Sequence, residues 1–193
     1  MTQTLFHKLN VPKMDHPAGF TIPNVRSLLE GGHRNTDSWR YNVEDVMSKS
    51  LLDFFKKECQ LTFDNCFIFF VRAGFSTDIH LDGTVRAANV WAVNFIQDGM
   101  GSKINWYNKT NARPVKTFPN LGGAIIDSWE EEDLVLAKTY TLDHDRFLIR
   151  TDFPHKVINC TDNNRWCFSF RGEAKKHTIK TWHEVINSLR KYI

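Results

Sequence analysis

Between Phe63 and Arg171 the chain passes through nine short β-rich segments with no helical stretch between them: 63–73, 78–82, 87–97, 104–108, 124–128, 133–140, 146–151, 155–159 and 164–171. Gly, Asn, Asp and Pro separate them, the residues that turn a chain back on itself. A parallel sheet needs long crossover connections, usually helices. Their absence argues against a parallel α/β sheet and predicts a mainly β sandwich or jelly roll.

The flanks read differently. Residues 1–42 mix Pro, Gly, His and polar residues without sustained periodicity, which predicts an irregular arm able to cover a site. Val43, Val46, Met47, Leu51, Phe54 and Phe55 recur at three and four, predicting a helix over 43–60, and Ile179, Trp182, Val185, Ile186 and Leu189 predict a second within 173–193. The longest irregular piece, 97–123, carries Gly99, Gly101, Gly122 and Gly123 and is interrupted only by the short strand INWYN. Such a piece is expected to act as a lid or a substrate-facing loop. At 193 residues, with no repeat and no linker, the chain is expected to form one domain, 1–193, with its jelly-roll core over 63–171.

Composition narrows the function classes. Apolar residues make up 41% and aromatics 13%, enough to fill an interior and too much for a disordered chain. The net charge is +3, and the pairs Lys56-Lys57 and Lys175-Lys176 are too short to form a phosphate-binding stripe, so nucleic acid is not indicated. Cys59, Cys66, Cys160 and Cys167 show no C-x-x-C spacing, and the first residues, MTQTLFHKLN, lack the apolar core of a signal peptide. A reducing, cytoplasmic setting is expected, and no apolar run is long enough to cross a bilayer. Oligomeric state is not legible.

The chemistry concentrates in two segments. In STDIHLDG, His80 and Asp82 lie two apart, so on an extended backbone both side chains leave the same face. A lone H-x-D is commonplace and needs a third ligand. His155, opening a short strand in FPHKVINC, supplies one, and two imidazoles with one carboxylate form the facial set of non-haem Fe(II) oxygenases. Closed structural zinc would want four ligands, usually with thiolates. Ten residues beyond His155, strand alternation puts Arg165, Cys167, Ser169 and Arg171 on one face and Trp166, Phe168 and Phe170 on the other. The aromatics belong to a core. A guanidinium turned inward needs a counter-anion, and arginine grips a carboxylate through two parallel bonds where lysine cannot.

On these residues the chain resembles the Fe(II)/2-oxoglutarate-dependent oxygenases, whose pattern is H-x-D/E, a distant His and an Arg about ten residues later. The resemblance assigns His80, Asp82 and His155 to iron and Arg165 to the far carboxylate of 2-oxoglutarate. Where the family often continues Arg-x-Ser, this chain has Cys167, with Ser169 as the substitute hydroxyl. The stretch from Trp91 to Asn108 is similar to the middle strands of small family members, which makes Asn94, Trp106 and Tyr107 candidate pocket lining. Asn94 and Tyr107 join Cys167 and Ser169 as further candidates for the oxo-acid. Arg86, Trp91 and Trp106 are the candidates for touching substrate, with an exposed hairpin as the rival reading for Arg86 and core packing for the tryptophans. The segment from His155 through Arg165 also looks similar to the aspartyl/asparaginyl hydroxylase-like branch. Animal members of that branch can lack the carboxylate ligand, whereas Asp82 is present here.

The resemblance implies a double-stranded β-helix with a helix on either side and iron in its mouth. It implies a dioxygenase, in most cases a hydroxylase, that consumes O2 and 2-oxoglutarate, releases succinate and oxidises a substrate the sequence does not reveal, an amino acid or protein side chain being favoured over a modified base. Two rivals stand beside it. One is a cupin-like metalloenzyme without 2-oxoglutarate, which Arg165 opposes; the other is a non-catalytic jelly-roll binding module.

Overall fold

Alternation in RWCFSFR has its structural counterpart in a strand buried along its whole length, Arg165–Arg171. In the computed structural model, which describes residues 4–25, 35–82, 90–108, 114, 116–119, 125–172 and 181–193, this is the last of twelve strands. In chain order they are β1 (Phe6–Lys8), β2 (Thr36–Tyr41), β3 (Asn65–Val71), β4 (Ile79–Leu81), β5 (Trp91–Gln97), β6 (Lys103–Tyr107), β7 (Lys116–Pro119), β8 (Ile125–Trp129), β9 (Leu136–Thr141), β10 (Arg146–Arg150), β11 (His155–Ile158) and β12 (Arg165–Arg171). Every pairing is antiparallel, giving two six-stranded sheets of order β1-β10-β5-β12-β3-β2 and β7-β8-β4-β11-β6-β9. The chain is mainly β, with successive strands β3 to β6, and again β9 to β12, alternating between the sheets.

Strand parity divides the interior in two. Trp166, Phe168 and Phe170 of β12, with Ile68 and Phe70 of β3 and Trp91, Val93 and Phe95 of β5, face a core closed by the helices α1 (Lys49–Glu58) and α2 (Trp182–Leu189). Leu51 and Phe55 of α1 and Trp182, Val185 and Leu189 of α2 complete it. Fully burying each large side chain contributes on the order of 2 kcal/mol, so this face anchors the first sheet. The opposite face, with Ala92, Ile96 and Cys167, meets Ile104 and Trp106 of the second sheet. A pocket lined by His80, Asp82 and His155 lies in this second space.

Local sequence sets the helix boundaries. The expected helix over 43–60 is shorter: Val43–Asp45 forms a 3-10 turn, and α1 begins after Ser48, whose extended backbone interrupts the run and whose side chain accepts from Leu51 N. Asn42 offers no such cap. Thr181 and Glu184 form a reciprocal capping box at α2, satisfying two backbone donors that the first turn leaves without partners.

The arm also departs from expectation, because β1 pairs with β10 and β2 with β3 as the two edges of the first sheet. Neither FHK nor TDSWRY alternates strongly. Their order comes from hydrogen bonds to distant strands. The 97–123 piece likewise contributes β6 and β7, while its residues 109–113, 115 and 120–123 lie outside the described residues. Among the described residues no helix is long and apolar enough to cross a membrane.

Candidate metal centre

His80 and His155 are directly opposed on the neighbouring strands β4 and β11, so their side chains leave the same face of the second sheet. Their ring centroids are 4.5 Å apart. Asp82, just past β4, turns into the same space and is buried. One carboxylate oxygen lies 3.8 Å from His80 Nε2 and the other 3.8 Å from His155 Nε2. The three donor atoms fall within 4.8 Å of one another, a grouping that can hold a metal ion.

Backbone contacts orient both rings in the same way. His80 Nδ1 meets Asp78 O at 2.9 Å, and His155 Nδ1 meets Phe153 O at 2.9 Å. A carbonyl only accepts, so each Nδ1 carries the hydrogen and each Nε2 presents its lone pair to the centre. Burial, reinforced by His80, lowers the His155 pKa to about 4, which keeps that ring neutral and fit to ligate at neutral pH. Burial pushes the Asp82 carboxyl upward, but Arg171 and the two histidines outweigh it and hold the group below its ordinary value. The donor set is therefore one anion with imidazole nitrogen, which suits a divalent ion such as Fe(II).

Arg171 was not assigned a role from sequence. Its Nη2 lies 2.8 Å from Asp82 Oδ2, its Nε donates to Ser169 Oγ at 3.3 Å, and its guanidinium stands over the rings of Phe67 and Phe69 at 4.8 and 5.5 Å. Parity already places it on the face of Arg165, six residues away on one strand; the missing signal is its partner Asp82, which comes from a distant segment.

The pocket beside the histidines is walled by Phe69, Asn94, Ile104, Ile149, Val157 and, along β12, Arg165, Cys167, Ser169 and Arg171. Arg165 is 2% exposed, and its Nε has no hydrogen-bond partner among the described residues. Among the described residues no carboxylate lies within ion-pair distance of it. Asn94 Oδ1 is also buried without a partner among the described residues. Burial pushes the Cys167 thiol up while Arg165 and Arg171 pull the other way, so the group stands as a neutral thiol.

Other candidates are placed elsewhere. Trp91 has the opposite parity to Asn94 and packs in the helix-side core against Phe63, with its ring edge 3.2 Å from where a Cβ on Gly172 would stand. Trp106 shares the face of His155 but is wholly buried between the sheets, donating from Nε1 to Arg150 O at 3.1 Å and meeting Tyr140 edge-on. The β6–β9 register shifts between Trp106 and Tyr107, and the Tyr107 hydroxyl donates to Glu131 Oε1 at 2.9 Å, outside the pocket wall. Burial, then Glu131, pushes the Tyr107 pKa up to about 12. Arg86 lies outside the described residues.

No family model and no curated protein sequence matches the chain. Solved structures with some likeness include Peruvianin-I, a cysteine peptidase from Thevetia peruviana latex, at 12% identity over 82% of this chain and 68% of that one, with a TM-score of 0.38. OsALKBH1 aligns at 13% identity over 58% and 49%, TM-score 0.35, and E. coli ycfD at 13% over 90% and 60%, TM-score 0.39. The chain thus spans between 49% and 68% of the length of these three structures.

Proposed function

We propose that this chain is an Fe(II)/2-oxoglutarate-dependent oxygenase acting on an amino acid or protein side chain, with His80, Asp82 and His155 as iron ligands. One observation carries the reading: the Arg165 guanidinium is buried in the same pocket as these three residues, with its Nε unpartnered. A buried cation without a counter-charge costs several kcal/mol, roughly, unless a ligand supplies the anion. The far carboxylate of 2-oxoglutarate, gripped while its other end reaches the metal, meets both demands. The alternation of strands between the sheets supports a double-stranded β-helix as the scaffold.

When bound, iron and the oxo-acid supply the oxidising chemistry, in which O2 is consumed and 2-oxoglutarate becomes succinate and carbon dioxide. The chain's own residues place and insulate. Asp82 gives one oxygen to Arg171, leaving the other to face the centre. Ile104, Ile149 and Val157 give the pocket shared by the histidines and Arg165 an apolar wall, which disfavours water there.

Anaerobic titration with Fe(II), then 2-oxoglutarate, tests this. A charge-transfer absorption that needs both is the expected result. Metal binding without any response to the oxo-acid would instead indicate a cupin-like metalloenzyme, and binding of neither would indicate a non-catalytic module.

A further inference from the structure

Outside the pocket wall, beside the backbone of Arg165, lies a polar knot that the metal centre does not use. Asn159 is wholly buried, and its Nδ2 donates to Val71 O at 3.0 Å and Asn163 O at 2.8 Å. Its Oδ1 accepts from Thr161 Oγ1 at 2.8 Å and lies 3.1 Å from Ser102 Oγ. Ser102, also wholly buried, has its hydroxyl between that oxygen and Gly99 O, 2.6 Å away, so its single hydrogen is shared with Gly99 as the nearer acceptor.

The two backbone positions tied by this knot are the ones that flank Arg165. Val71 is the register partner of Arg165 on β3. Gly99 covers the other side so closely that a Cβ built on it would stand 2.6 Å from Arg165 Cβ and 2.8 Å from its Cγ. Asp98 and Gly99 both have positive φ, 60° and 66°, a tight turn that aspartate tolerates and glycine adopts without steric cost. The arginine stem is thus clamped between two segments joined through one buried amide and one hydroxyl. A dicarboxylate reaching from the metal to this guanidinium must match that span.

We propose that the Asn159–Ser102 knot sets the depth at which Arg165 presents its guanidinium and thereby determines the chain length of the oxo-dicarboxylate the pocket accepts. This rests on the oxygenase reading. Asn159 and Ser102 are positioning residues and touch neither metal nor acid.

The test is direct binding to the Mn(II)-loaded protein, followed by calorimetry, comparing five-carbon 2-oxoglutarate with six-carbon 2-oxoadipate. Ser102→Ala removes the hydroxyl link from Gly99 to Asn159, leaving Gly99 O held by the Ser102 N–H at 3.1 Å alone, and should weaken 2-oxoglutarate by about three- to tenfold, the worth of one buried hydrogen bond, while narrowing its advantage over 2-oxoadipate. Mn(II) affinity should not change. Ser102→Thr, which keeps the hydroxyl, should restore the wild-type ratio. Ser102→Cys, similar in size but a weaker hydrogen-bonding group, replaces the alanine variant if that does not fold. Ser48→Ala, which loses the α1 cap on the other side of the first sheet, is the control for lowered stability alone and should leave the ratio unmoved. An equal loss for both acids, or no change in either, overturns the inference while leaving the oxygenase reading intact. If the wild type binds neither acid, the oxygenase reading fails and the inference with it.

Discussion

Replacing Arg165 by methionine should make the ligand-free protein more stable and at the same time deprive it of its co-substrate. The side chain is 2% exposed, its Nε is unpartnered, and burial lowers its pKa from the ordinary arginine value. Its favourable interactions are packing against the Gly99 turn and a weak contact with the Cys167 thiol, and methionine retains most of the packing. Exchanging a buried ion for an apolar residue of similar volume commonly stabilises by about 1–4 kcal/mol. Taking about 2 kcal/mol, a chain of this size gains about 4–8 °C in Tm. With Mn(II) present throughout, adding 2-oxoglutarate at a hundred times its Kd should stabilise the wild type by about 2.7 kcal/mol more and the variant by almost nothing more, so the order of stabilities reverses. Arg165→Lys keeps a buried charge without the fork and should show neither gain. The assay is urea unfolding with and without ligands. An Arg165→Met protein less stable than the ligand-free wild type would refute the reasoning, because it would mean that the guanidinium already has an internal counterpart.

Asp82→Ala should cost about 3–5 kcal/mol in urea unfolding, since it strands Arg171, and adding Arg171→Met should recover most of that without restoring Mn(II) binding. A single variant as stable as wild type would remove the Arg171–Asp82 pair from the argument. His155 titrates near 4 when folded against an ordinary value of 6.5, so between these values the unfolded chain holds a proton that the folded one refuses. Metal-free stability should therefore be full above about pH 6.5 and decline, by up to about 3 kcal/mol, as pH falls toward 4. His155→Gln should flatten that slope, and an unchanged slope would place the titration elsewhere.

The sequence by itself determined what depends on strand parity. His80 with Asp82, and Arg165 with Cys167, Ser169 and Arg171, share faces because side chains on an extended backbone alternate whatever lies nearby. Parity also separates Trp91 from Asn94, a distinction open to sequence reasoning but not drawn from it. Tertiary structure alone decided which face meets which neighbour. The opposition of His155 to His80, the capture of Asp82 by Arg171, the bulge that carries Tyr107 out to Glu131 and the pairing of β1 and β2 at the sheet edges all join residues distant in the chain. The clamp on Arg165 is of the same kind, since Gly99, Val71 and Asn159 come from three separate segments. Local backbone geometry fixes the direction of a side chain, but only packing against remote strands supplies the charge, carbonyl or void that it meets there.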